Sequence, residues 1–172
     1  MMTRSITWLA AALALGGCAT GQVGRRPTTA APTAGAPRSQ IQSLTYATTP
    51  CHGFCPVYSV TVAADGAGVF TGTRNTAVIG ERRFTATPAQ VAAFFDGLQP
   101  YLPVGELLLA GPDSCKMYAS DLPSADVRWT GKPGAGHLLY DYGCDRDTHR
   151  ALAEALRAAP QALPIAALIG PR

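Results

Sequence analysis

Five cysteines in a chain of 172 residues decide most of what this sequence can become. Cys51, Cys55, Cys115 and Cys144 lie where strand and helix patterns are found, whereas Cys18 lies apart, near the N-terminus. An odd count signals a free thiol unless one cysteine has another use. Four thiols in an oxidising compartment pair by default, and three pairings are open to them. Joining Cys51 to Cys55 closes a ring of about five residues, worth about 2 kcal/mol on the chain-entropy account. Cys144 falls at the end of a predicted strand, and Cys115 in the loop ahead of that strand's partner. A bridge there closes about 30 residues and contributes about 3–4 kcal/mol. The expected pairing is therefore 51–55 with 115–144, and a 51–144 cross-link would contradict it.

The N-terminus accounts for the fifth cysteine and for the compartment. Arg4 precedes an apolar run from Ile6 to Leu15, too short to cross a hydrocarbon layer of about 30 Å. Residues 1–17 therefore read as an export signal. "LGGC" at 15–18 resembles the lipobox of bacterial lipoproteins. The resemblance implies that Cys18 is acylated, with palmitate among its chains, and anchors the protein to a membrane; each buried methylene contributes about 0.8 kcal/mol. Ala19 rather than Asp follows, which by the sorting rules of enteric bacteria implies the outer membrane. Residues 18–40, rich in Ala, Pro, Thr and Gly without periodicity, read as a flexible tether holding one domain, 41–172, in the periplasm. The formal charge of +3 does not belong to that domain. Arg25, Arg26 and Arg38 sit in the tether, while ten Lys or Arg face eleven Asp or Glu from Ile41 onward. Nucleic acid is excluded as a partner, because the basic footprint is not on the folded part.

Periodicity then sets the fold class. "IQSLTY" (41–46) reads as a strand, and 57–73 as a hairpin in which Tyr58, Val60 and Val62 alternate with polar residues around an Asp65-Gly66 turn. A short strand is expected at 82–85. "TPAQVAAFFDGLQPYL" carries Thr87 as N-cap, Pro88 at the first helical position and Gln90 to complete a capping box, with Val91, Phe94, Phe95 and Leu98 on one face. "LLLAG" is apolar enough to be expected in the core. Residues 125–130 and 137–143 read as a second hairpin, with Arg128 expected to face Asp141. Residues 144–160 read as a helix capped by Asp145 or Asp147, and the apolar C-terminal segment as packing back on the body. Strands, helix, strands, helix without regular alternation argue for an α+β fold. Its form is two-layer, an antiparallel sheet of hairpins against two main helices, disulfide-stabilised.

"CHGFCPVY" (51–58) invites a sharper chemistry. C-x-x-x-C-P resembles the copper site of membrane-anchored copper chaperones of thioredoxin fold, which implies Cys51, Cys55 and a histidine, His52 or His137, as ligands; soft thiolates suit Cu(I). Such sites lead into a helix after the proline, whereas a strand pattern follows Pro56 here. The thiol-exchange pattern is C-x-x-C, which this is not. His149, near a helix start, reads as a capping or surface residue. Asp121, before Leu-Pro, reads as a turn former. Ser59 has no nucleophile-elbow context, and no triad, metal cage or cofactor cradle assembles. A hydrolase centred on Asp121 is the weakest reading.

Taken whole, "PCHGFCPVYSVTVAADGAGVFTG" resembles the domain of unknown function 6438 family of bacterial envelopes. The residues that carry the resemblance are Cys51, Gly53, Cys55, Pro56, Tyr58, Asp65, Gly66, Phe70 and Gly72, with Asp121 in the later "SDLP" turn. It spans about 41–158 and implies a domain type and two independent bridges, but no activity. The expectation is a lipid-anchored binding or accessory module with no cofactor beyond the lipid on Cys18, meeting the membrane and another envelope protein or polymer. The alternative is a copper-binding or thiol-redox protein.

Overall fold

The computed structural model describes residues 40–132 and 134–171. The expected export signal, Cys18 and all of the tether except Gln40 lie outside the described residues. Seven strands, β1 (Ile41–Thr48), β2 (Val57–Ala63), β3 (Ala67–Arg74), β4 (Gly80–Thr85), β5 (Gly105–Leu109), β6 (Ser124–Gly131) and β7 (Gly136–Asp141), form one sheet in the order β4-β3-β2-β1-β6-β7-β5. The helices are α1 (Pro88–Leu98), α2 (Arg150–Ala158) and the short α3 (Ala166–Ile169). The fold is α+β, as the patterns predict.

Alternation builds one buried face. Leu44 and Tyr46 of β1, Tyr58, Val60 and Val62 of β2, Phe70 of β3, Val127 and Trp129 of β6, and Leu138 and Tyr140 of β7 all point into the core. Tyr46, Tyr58 and Phe70 continue one another across three strands, with ring centroids 6.3 Å and 5.4 Å apart. Val91, Phe94, Phe95 and Leu98 of α1, and Leu152 and Leu156 of α2, cover this face. The C-terminal segment packs back through Leu163, Ile165 and Ile169. Asp65 and Gly66 make the predicted turn: Asp65 Oδ1 accepts the Ala67 N–H at 2.9 Å. Gly66 holds φ +91°, where any side chain would collide with the Ala86 carbonyl. The capping box of α1 is formed from both sides, Gln90 N–H to Thr87 Oγ1 at 3.3 Å and Thr87 N–H to Gln90 Oε1 at 2.9 Å.

Four expectations are corrected. The sheet is mixed rather than wholly antiparallel, since β5 runs parallel to β7; side-chain alternation carries no information about strand direction. Leu107 and Leu108 of β5 are not core, 36% and 47% exposed, because β5 is a sheet edge with no strand beyond it; only Leu109 packs against the core. Helix α2 starts at Arg150, and neither Asp145 nor Asp147 caps it; His149 holds the cap position without a side-chain bond. The register pairs Arg128 with His137 and Asp141 with Ser124, so Arg128 binds Asp126 at 3.1 Å instead of Asp141.

Candidate functional site

Both disulfides form as expected, Cys51–Cys55 and Cys115–Cys144, and each pins a turn at the same end of the sheet. In the first turn the Gly53 N–H donates to the Cys51 carbonyl at 2.9 Å, with Gly53 at φ +152°, a backbone shape that glycine adopts at least cost. Thr48 Oγ1 donates to the Pro56 carbonyl at 2.8 Å and accepts the Tyr58 N–H at 3.1 Å. Asn75 donates to the Cys55 carbonyl at 3.2 Å. This turn is fastened to the "SDLPS" turn. The His52 N–H donates to the Asp121 carbonyl at 3.1 Å, and the Ser124 N–H to Thr49 Oγ1 at 2.7 Å.

The second staple holds 115–119 against 142–145. Asp145 accepts the backbone N–H groups of Lys116 at 3.0 Å and Met117 at 2.8 Å. The bonds from Met117 and Lys116 hold its carboxyl below the usual carboxylate range. Asp141, buried, accepts from the Gly143 N–H at 2.7 Å, Ser124 Oγ at 3.2 Å and Tyr118 Oη at 3.3 Å. One carboxylate thus links the second staple to the "SDLPS" turn, to which the first turn is fastened. Burial and then the nearby Asp141 push the Tyr118 phenol up, and burial above all does the same for Tyr140, so both stay neutral.

Between the two turns lie two concavities that share a wall. A groove of about 240 Å³ is lined by Tyr46, Pro56, Tyr58, Leu122, Pro123 and Pro160, among others. A wider cavity of about 650 Å³ is lined by Tyr118, Tyr140, Arg146, Asp147, Arg150 and Glu154, among others. Tyr142 and Arg157 line both. The Arg157 guanidinium lies 4.4 Å from the centre of the Tyr142 ring, a cation–π contact. Arg150 is taken up by Asp147 at 3.3 Å. Among the described residues, Arg146 and Arg157 make no ion pair with a carboxylate.

The structure brings Cys55, Pro56 and Tyr58 into the groove wall, while Cys51, Gly53 and Asp121 lie in the adjoining turns and do not line it. Asp121 acts through its carbonyl. Cys115 and Cys144 join the two segments that carry Met117, Tyr118, Gly143 and Arg146 of the cavity, while Asp65 and Gly66 lie at the opposite end of β2. The copper set is not brought together. The sulfurs of Cys51 and Cys55 are bonded to each other, so neither is a thiolate. His52 is exposed. His137 sits on the outer face of β7 between Glu106 and Asp126, at 3.3 Å and 3.2 Å, four residues along β6 from the Ser124 level where the cysteine turn attaches. Ser124 and Asp141 form a pair without a histidine, and His149 packs edge-on against Tyr140. The residues that sequence reasoning missed are Tyr142, Arg146 and Arg157. Arg157 shows only as a basic residue on the polar side of a helix; of the three, only Tyr142, two residues before Cys144, has a sequence position that could have singled it out.

A family model described as "Domain of unknown function (DUF6438)" matches residues 42–163. The chain belongs to this family. The matched span takes in all seven strands but the first residue of β1, both disulfides and every residue that lines the groove and cavity. No curated protein and no solved structure matches the chain.

Proposed function

We propose that the protein is a lipid-anchored module of the bacterial cell envelope, held by Cys18, whose domain faces the periplasm and binds a ligand without transforming it. The observation that carries the binding role is the paired groove and cavity, walled by two disulfide-pinned turns and sharing Tyr142 and Arg157. Preformed concave sites with apolar walls and a few convergent polar groups are where ligands bind. The anchoring rests on "LGGC" following a short apolar run, and both disulfides suit an oxidising compartment. Two experiments test this reading. Labelled palmitate should enter the wild-type chain in the outer membrane fraction and be absent from Cys18→Ala; equal labelling would end the anchoring claim. Small-fragment screening by amide NMR should shift residues lining the groove or cavity, and fragments clustering elsewhere would end the binding claim at this site.

A further inference from the structure

The two concavities differ in chemistry where they meet, and that difference names a ligand class. The groove walls are mostly tyrosine and proline, with Leu122 and few polar side chains. The cavity beside it presents Arg146 and Arg157, whose charges both reach the Tyr140 phenol. Asp147 is occupied by Arg150, and Glu154 shares the cavity wall with two guanidiniums that make no ion pair among the described residues. This local surplus of positive charge stands on a domain whose acids outnumber its bases. Arg157 is held at the seam: its guanidinium lies over the Tyr142 ring, which limits its freedom and leaves its N–H edge available to an acceptor. An occupant that satisfies both halves carries a carboxylate or phosphate at the seam and an apolar body along Pro56, Tyr58, Leu122 and Pro160.

We infer that the site binds an anionic amphiphile, a carboxylate or phosphate on a short alkyl or aromatic body, with Arg157 and Arg146 taking the anion and the Tyr46–Tyr58–Pro123 groove taking the body. This rests on the binding role proposed above. A flexible, acidic protein segment would use the same charges, but the groove is a recess of about 240 Å³ walled by residues from several turns rather than a track along a free strand, which favours a small ligand.

The test uses the full chain carrying Cys18→Ala, with octyl phosphate, octanoate, inorganic phosphate and octyltrimethylammonium as probes, read by calorimetry and amide NMR. Octyl phosphate and octanoate should bind and shift Tyr58, Leu122 and Tyr142. Inorganic phosphate should bind at least about tenfold more weakly, since it lacks the apolar part. The ammonium probe should not bind. Arg157→Met and Arg146→Gln should each weaken the anionic probes by roughly tenfold, as expected for loss of a charge-assisted contact, and added salt should weaken them further. A ratio between octyl phosphate and octanoate well away from one would identify the anion. Should the ammonium probe bind as well as octyl phosphate, or the arginine variants bind unchanged, the anionic class is overturned while the binding site stands. If no probe shifts any lining residue but fragments do, the amphiphile is overturned; if neither does, the proposed function falls with it. An acidic peptide that displaces octyl phosphate at lower concentration would overturn the small-ligand inference in favour of a protein partner.

Discussion

Asp145 shows how one side chain can be read correctly as important and wrongly as to its task. Its φ of +40° removes it from a helical start, and its carboxylate serves Lys116 and Met117. Because the folded state holds this carboxyl below its unfolded value of about 3.9, its stabilisation is whole above that pH. It is lost as the pH falls through the lower folded value. Asp145→Asn, which tolerates the same φ, should lower the melting temperature by a few degrees at pH 7. The gap to wild type should narrow as the pH is taken below about 4, near the ordinary carboxylate value. A gap that stays constant down to pH 2 would show that the charge is not what the backbone amides hold. Asp141 is a different case, buried with three donors around it. Asp141→Ala leaves those donors without their acceptor and should cost about 2–3 kcal/mol in urea unfolding, whereas the exposed Phe54→Ser, at a site 94% open to solvent, should stay within about 0.5 kcal/mol.

At the scale of elements, α1 was wholly legible and β5 was not, and the contrast has a physical cause. Thr87, Pro88 and Gln90 act on their own backbone within one turn, so the signal and the structure it specifies lie together in the sequence. Thr87→Ala should accordingly cost about 1 kcal/mol by calorimetry. The position of β5 depends instead on pairing with β7, some 30 residues away, and "LLL" reads the same whether a neighbour covers it or not. Leu108→Lys, at the bare edge, should leave stability within about 0.5 kcal/mol, while Leu138→Ala, fully buried on the adjoining strand, should cost about 2–5 kcal/mol. Equal costs would mean that β5 is covered in solution. The same limit explains the site. Cys55, Pro56 and Tyr58 were visible as a motif because they are contiguous, but Arg157 reaches them only after α2 folds across the sheet. Arg146 is separated from its phenolic neighbours by a turn that no periodicity describes.

For the molecule as a whole, the two disulfides divide the work between stability and site. The Cys115–Cys144 bridge spans 29 positions and joins two buried residues. The Cys51–Cys55 bridge spans four, and its cysteines are only partly covered. Chain entropy assigns about 3.6 kcal/mol to the longer loop and about 2 kcal/mol to the shorter, and replacing the buried pair also forfeits packed sulfur. Cys115→Ala/Cys144→Ala should therefore lower the melting temperature by roughly 10 °C, about twice the loss in Cys51→Ala/Cys55→Ala. Ligand binding should rank the other way. Cys55 lines the groove and its ring sets where Pro56 and Tyr58 stand, so the 51–55 variant, measured well below its melting point, should lose more affinity for an apolar-bodied probe than the 115–144 variant. Cys55 and Pro56 of the groove belong to the first staple's turn and Arg146 to the turn before α2, while Arg157 is carried by α2 itself. A double variant that loses affinity and stability in the same order would show instead that a single cooperative core, and not the local turn, holds the groove open.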